Sequence, residues 1–557
     1  MDYESKPYDV VQALVEWLLV IGAAVLIALF VGAVVSLFLA GRRAPSLLFS
    51  TLRRGFDDLT SLSLRRIGAL ARLTIQESLS RRTLLVLFVF VSLFAAGNLF
   101  LQSPGQDMPA KPFVSFVMTT IRWVLIPVAL LLSCWGLPAD IKSRSLHTVV
   151  TKPVHRNEIV IGRMLGYSLV TSSVLLLVGL GGLIWIHRVV PPRSKPQLTS
   201  RVPVYCDSQN FSFLDRNGQV GPGLNVGDLW EHRGFVEGQT KSRAVWVFDG
   251  VNESYLNDDG NLRMEFSFEA FRSHKGRIDE GVRFRLHLVN QEKGLDIPFP
   301  QRGAGLEIRE FAGELATRQD RAAPIIEIPR ELSRNVGLDD DGTKVDLFTD
   351  LVNDGNLRIE LSCEDSGQYV GAANTDLFIR LADKPFAVGY LKAMFGLWLM
   401  VVLICIIGTT ASCFLKGPVA TLLTFGLVIL GHPLRAYMES QLDQLNSKGQ
   451  VLGGGMLESF YRLVTQMNVM TPLPENDATQ VIQFLDAHIF NGLTIAEFII
   501  PNFRHFDMTA FVANGFDVPW MDAGAAIVPS ILTVLGYLIP CIVLGYFSLQ
   551  LRELEAK

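Results

Sequence analysis

The chain has 557 residues, 49% of them hydrophobic and 19% charged, and a net charge of −4. Its mean hydropathy of +0.31 is high for a protein that folds in water alone, and the apolar excess gathers in runs near the roughly 20 residues that cross a hydrocarbon core of about 30 Å. No basic excess and no dense run of Lys and Arg among aromatics exists to bind nucleic acid, so no nucleic-acid partner is expected.

Residues 1–43 carry a first span, Val11 to Ala40. It is too long for a cleavable secretory signal and is expected to stay in the protein. Before it, Asp2, Glu4 and Asp9 outweigh Lys6; after it come Arg42, Arg43, Arg53 and Arg54. Basic residues collect on the cytoplasmic side of spans, so the head is expected outside. Residues 44–82 set Arg65, Arg66 and Arg72 among Leu64, Ile67, Leu70, Leu73 and Ile75. That spacing predicts an amphipathic helix, either an elbow in the cytoplasmic membrane interface or an ordinary linker helix. Residues 83–189 hold spans at Thr83 to Leu101, Phe113 to Leu137 and Met164 to Ile186, with a basic cytoplasmic loop at 139–163.

Residues 190–388 change period. Leu262, Met264, Phe266 and Phe268 alternate with Arg263, Glu265, Ser267 and Glu269, as in a strand with one buried face. Two segments resemble each other: Asn257-Asp258-Asp259-Gly260-Asn261-Leu262-Arg263 and Asn353-Asp354-Gly355-Asn356-Leu357-Arg358 are both turns rich in Asn, Asp and Gly that lead into alternating strands. A second strand follows each, at Val282 to Val289 and Asp376 to Leu381. An extracytoplasmic β-sandwich-like domain with internal duplication is expected, either duplicated or as packed β modules, chance similarity being the alternative. The acidic turns at Asp258 and at Asp339-Asp340-Asp341-Gly342 lack the alternating oxygen ligands of a calcium loop, so turn chemistry rather than a metal is expected. Of the six cysteines only Cys206 and Cys363 lie here. A disulfide between them and a pair of free buried thiols both remain open. Cys134, Cys405, Cys413 and Cys541 fall in apolar spans, where a thiol acts as a small hydrophobe.

Residues 389–434 hold a span at Tyr390 to Phe414 and a short apolar run, Val419 to Leu430, bounded by Gly417-Pro418 and His432-Pro433. This run is a tilted or broken span, and it must cross if the tail is to end inside. Residues 435–523 form an extracytoplasmic helical segment, and 524–557 the last span, Ala525 to Leu549, with a cytoplasmic tail. The expected fold is therefore an α-helical polytopic membrane protein with about seven spans and an inserted β domain.

The sequence contains no Gly-x-x-x-x-Gly-Lys-Ser/Thr, His-Glu-x-x-His, Cys-x-x-Cys or Gly-x-Ser-x-Gly, so neither a catalytic site nor a metal or cofactor site is expected in this chain. Glu16, Arg122 and Lys392 fall near the outer ends of spans that are otherwise almost free of ionisable groups, which disfavours an ion-coupled carrier.

Two further segments carry a family likeness. The loop reads Lys152-Pro153-Val154-His155-Arg156 and then Gly162-Arg163, and near the C-terminus stand Ile500-Pro501-Asn502-Phe503-Arg504-His505-Phe506-Asp507 and a closing Phe547 to Arg552-Glu553-Leu554. Their order and spacing resemble the ABC-2 type permease family, in the branch similar to permease components of copper-enzyme maturation systems. The first half of the loop departs from that pattern, with Asp140, Lys142, Arg144 and Ser145 to Thr148 in place of the usual acidic pair and Gly-Thr-Leu. The resemblance covers a six-helix core and its elbow, and leaves the first span and the β domain as additions. It implies the permease subunit of an exporter in the bacterial inner (plasma) membrane, working as a homodimer or heterodimer with a separate ATPase subunit that binds the ATP. It assigns the coupling contact to Asp140, Arg144, Lys152, Pro153, Arg156, Glu158, Gly162 and Arg163, and the family's C-terminal segment to Pro501, Asn502, Phe506 and Asp507. Anchoring of the basic loop to anionic headgroups is the plainer use of such residues. The competing reading of the whole is a membrane-anchored binding or signalling protein whose β domain recognises a partner.

Overall fold

The computed structural model describes residues 8–40, 53, 58, 62–80, 89, 92–94, 96–97, 109–142, 155–226, 233–272, 281–301, 305–308, 325–334, 344–448, 454–468, 471, 473–474, 476–522 and 524–555. The helices are α1 (Val10–Ala40), α2 (Leu64–Ser80), α3 (Ala110–Lys142), α4 (Arg156–Val189), α5 (Phe386–Phe414), α6 (Gly417–Gly431), α7 (Pro433–Lys448), α8 (Met456–Thr465), α9 (Asp477–Ile499), α10 (Thr509–Ala513) and α11 (Ile527–Glu555). Among the described residues, five helices are long and apolar enough to cross a membrane, or up to six when α6 and the first half of α7 count as one bent span. The expected span Thr83 to Leu101 lies largely outside the described residues, as does the centre of the loop at 139–163, residues 143–154.

The α6–α7 break answers the short apolar run at Val419 to Leu430. Pro433 has no N–H to continue the ladder and disfavours helical backbone at the residue before it, so His432 leaves the helix and the two pieces meet at 43°. In the bundle, α3, α4, α5 and α11 bury one apolar core, with α5 at its centre. Of α5's apolar window 72% is buried, against 0% for α1, which touches the bundle through Trp17 Nε1 donating to the Gly536 carbonyl of α11 at 3.1 Å.

The elbow helix α2 buries Ile67, Ala71, Thr74 and Ser78, spaced by four, three and four along one face, and exposes Leu64, Arg65 and Arg72. Its buried face lies along α4 because α4 offers glycine there. A Cβ at Gly162 would come within 2.6 Å of Leu70 Cβ, and one at Gly166 within 2.4 Å of Thr74 Cβ. The Gly-x-x-x-Gly spacing is the physical reason that the two backbones can approach so closely.

The β domain occupies the opposite end of the bundle. Its central strands are β1 (Arg243–Phe248), β2 (Asn261–Phe266), β3 (Glu269–Arg272), β4 (Val282–Asn290), β5 (Ile325–Pro329), β6 (Leu357–Cys363), β7 (Gln368–Ala372) and β8 (Leu377–Arg380). In one sheet β6 lies between β1 and β4; in a second, β2 lies between β5 and β8; in a third, β3 pairs with β7. All these pairs are antiparallel, with Ile359 opposite both Trp246 and Leu288, and Met264 opposite both Ile326 and Ile379. The expected likeness of β2 and β6 thus takes an exchanged form. Replacing β1, β2, β3 and β4 by β5, β6, β7 and β8, and the reverse, returns the same pairings, and every pairing among these eight strands joins one segment to the other, while shorter strands such as 295–299 pair within their own segment. The segments are interleaved rather than packed as two modules. The turns ahead of β2 and β6 also match, with Gly260 at φ +76° and Gly355 at φ +84°. Between the sheets, Trp246, Phe248, Phe266, Phe268 and Phe284 form a buried aromatic centre.

Candidate functional site

Two polar clusters stand out in the bundle, one at each end. At the end remote from the β domain, α4 starts at Arg156 with His155 as its cap and Glu158 in its first turn. Glu158 is 0% exposed. One carboxylate oxygen accepts from Ser63 N at 2.8 Å and from the Arg66 guanidinium at 2.8 and 3.0 Å, and the other accepts from His155 N at 3.1 Å. Below it, Arg163 meets Glu77 at 2.5 Å, a second tie between α4 and α2. Asp58 joins the cluster to the last helix: it pairs with His155 Nδ1 at 3.0 Å and accepts from Tyr546 OH at 2.7 Å. The return of the loop, the elbow and the end of α11 are therefore held by one connected set of bonds.

The coupling residues read from sequence divide on this geometry. Arg144, Lys152 and Pro153 lie outside the described residues, and Asp140 is in the last turn of α3. Gly162 and Arg163 face α2, and Glu158 is turned inward, so these three hold the elbow instead of presenting a surface. Arg156 is half-buried at the start of α4.

At the other end, the chain after α9 turns back through Pro501 to Asp507. Tyr537, about 15 Å along α11 from its start, donates to the Ile499 carbonyl at 2.8 Å, so α9 ends deep beside α11. From there the segment climbs again, with His505 bonded to Thr533 at 3.4 Å and its carbonyl accepting from Ser530 at 2.8 Å. Phe503 and Phe506 are fully buried anchors, and Asn502 accepts from Arg504 N at 3.0 Å to close the turn. Asp507 pairs with Arg122 of α3 and, at 3.1 Å, with His432 at the α6–α7 break. Nearby, Arg435 bridges Glu439 at 2.9 Å and Glu497 at 3.1 Å, while Glu439 also pairs with Arg504. Of the segment Pro501, Asn502, Phe506 and Asp507, Asp507 thus ties α3 to the α6–α7 break, and Asn502 donates at 3.4 Å to Glu439 of the second ionic set beside it. Sequence reading set Arg122 near a membrane boundary and gave His432, Arg435, Glu439 and Glu497 no role. Their only signal was the His432-Pro433 break next to charged residues.

A third feature fixes the β domain to the bundle. Besides its two chain connections, Arg201 N donates to the Gly515 carbonyl at 2.8 Å, Asp517 N donates to the Arg201 carbonyl at 2.7 Å, and the Arg201 guanidinium lies 4.2 Å from the Phe516 ring. Asp517 also takes Lys384 at 2.8 Å and Lys392 at 2.8 Å. Burial alone would raise the Asp517 carboxyl, but the two ammonium groups outweigh it and hold the group below its ordinary value.

Of the two arrangements left open for Cys206 and Cys363, a disulfide or free buried thiols, the structure has the second. Cys206 and Cys363 are both free. Cys206 Sγ donates to the Val247 carbonyl at 3.1 Å, and Cys363 Sγ points to the Gln368 carbonyl at 3.7 Å. Burial pushes Cys206 up to about 12 and Cys363 up to about 11, so neither is a ready thiolate.

The class defined by these features is a membrane-embedded helical bundle that carries a separate β-rich domain. No protein-family model, no curated protein and no solved structure matches the chain.

Proposed function

We propose that this chain is the membrane subunit of an ATP-driven exporter of the ABC-2 type, acting as one of a pair and powered by a separate ATPase subunit. In this reading the end of the bundle remote from the β domain is cytoplasmic, and the membrane is the bacterial plasma membrane. The observation that carries it is the buried Glu158. Its bonds to Ser63, Arg66 and His155 unite the elbow with the return of the loop, so a push on that loop moves α2 and α4 together instead of bending one helix. Asp58 and Tyr546 carry the same displacement to α11.

At the opposite end, α11 and α5 meet the Asp507 network and the Asp517 strut. A displacement of the helices would there reach the outer segment and the β domain together. Energy from a partner fits a chain without a phosphate-cradling loop of its own.

The experiment is affinity purification of the full chain from its native membrane, followed by ATP hydrolysis measured in lipid nanodiscs. The expected result is a co-purifying ATPase whose turnover falls when the Pro153 loop is altered, with the assembly intact. A chain that brings down no nucleotide-hydrolysing subunit, or one whose ATPase ignores the loop, refutes the reading.

A further inference from the structure

The pair α8 and α9 is built with its polar groups inward and its apolar groups outward. Arg462 is 8% exposed and Asp486 4%. Asp486 accepts from Leu457 N at 3.0 Å and Glu458 N at 2.9 Å, capping α8 from α9, and Arg462 pairs with Glu458 at 2.7 Å while donating to the Thr471 carbonyl at 2.7 Å. The opposite face of α8 is apolar and open: Met456 is 48% exposed, Phe460 65%, Leu463 76% and Val464 66%. In water that order is unfavourable, because each exposed apolar side chain forfeits about 1.5–3 kcal/mol of burial. In contact with acyl chains it is the favourable order.

One end of the pair is fixed in depth: the carbonyl of Ile499, the last residue of α9, is bonded to Tyr537, about 15 Å along α11 from its start. Exposed apolar side chains recur from there: Val481, Phe484, Ile495 and Ile499 on α9, with His488 and Asn491 exposed between them, and Leu535 and Ile539 on α11. At the start of that helix Trp520 and Met521 are exposed as well, the placing of an interfacial aromatic anchor.

We infer that α8 is a membrane-surface helix, lying on the β-domain side of the bilayer with Met456, Phe460, Leu463 and Val464 among the upper acyl chains of that leaflet. The occupant of this face is lipid, and the inference stands whether or not the chain is a transporter subunit. Its consequence is that the α7–α9 region, and with it the Asp507 network, rides on the lipid surface.

The test uses the full chain in vesicles of phosphatidylethanolamine and phosphatidylglycerol. All six native cysteines are buried, so single substitutions Phe460→Cys, Leu463→Cys, Gln466→Cys and Gln480→Cys can be labelled selectively with a nitroxide. Collision with oxygen, which partitions into acyl chains, is compared with collision with a water-soluble nickel chelate. The expected result is an oxygen-to-nickel ratio several-fold higher at 460 and 463 than at 466 and 480. Equal nickel access at all four positions places α8 in water and overturns the inference. Shielding of 460 and 463 from both reagents overturns it too, since the face is then covered by protein, a second copy or another partner.

Discussion

Glu158 is a carboxylate sealed from solvent whose partners come from outside its own helix, apart from the cap at His155. Breaking a buried charged pair from one side costs about 3–5 kcal/mol, because the remaining groups lose their counterpart and cannot all reach water. Arg66 is about one-third exposed, so removing the arginine is expected to cost less than removing the acid. The Glu158→Ala variant should therefore lose about 3 kcal/mol in detergent unfolding, Arg66→Ala about half that, and the double variant less than their sum. Additive losses would show that the pair is not the tie between loop and elbow. Asp517 offers a pH test. Its folded-state carboxyl titrates below its ordinary value, so the stabilisation is fully present above the ordinary carboxylate range near about 4 and is lost as pH falls through the depressed value. Amide exchange at residues 514–518 is expected to stay slow from neutral pH down to about 4, after correction for intrinsic rates, and to speed up below it. The Asp517→Asn variant should exchange fast at every pH.

At the scale of elements, the apolar spans were legible because each is long and nearly continuous; α1 and α5 begin and end within four residues of the boundaries read from sequence, while α4 starts eight residues before the expected Met164 and α11 runs six beyond Leu549, because helix continues into polar chain where hydropathy stops. The elbow was legible from the period of its apolar residues, Ile67, Leu70 and Leu73 among arginines, although its buried face is Ile67, Ala71, Thr74 and Ser78 and Leu73 is exposed. What could not be read was which surface it meets. An amphipathic period describes one helix alone, whereas the close approach depends on Gly162 and Gly166 of another. The family likeness drew attention to Gly162, but as part of a contact with another subunit. A substitution separates the two uses: Gly166→Leu drives a branched side chain into Thr74 and should cost about 1–3 kcal/mol and open the 63–80 segment to protease, while Ala69→Leu on the exposed face of α2 should do neither. Equal behaviour of the two variants would mean that α2 does not seat on the glycines. The ionic network around Asp507 was illegible for the same reason. Arg122, His432 and Asp507 come from three separate stretches of chain, and only the turn after α9 brings them together.

At the scale of the whole molecule, the β domain joins two kinds of information. The repeated turn and strand, Asn257 to Phe266 and Asn353 to Leu361, could be seen because local alternation and a glycine at positive φ leave a mark in sequence. The pairing could not, since strand partners are chosen by long-range contact, and here each segment chose the other. Exchange has a thermodynamic consequence. With β6 held between β1 and β4, and β2 between β5 and β8, neither segment completes a sheet by itself. The buried aromatics divide in the same way: Trp246, Phe266 and Phe284 belong to the first segment, and the strands that cover their backbones to the second. Residues 190–388 expressed alone should then unfold in one cooperative step, whereas 190–300 and 324–388 expressed separately should each keep at most local pairings, such as the hairpin of 282–290 with 295–299, and regain the three central sheets only on mixing. Circular dichroism of the halves, alone and combined, checks this. A half that folds by itself would show that the segments are independent modules whose exchange is incidental. Folding only in combination would make the domain a single stiff body, fastened to the bundle through α4, α5 and the Arg201–Asp517 strut, and thus able to turn with those helices as a unit.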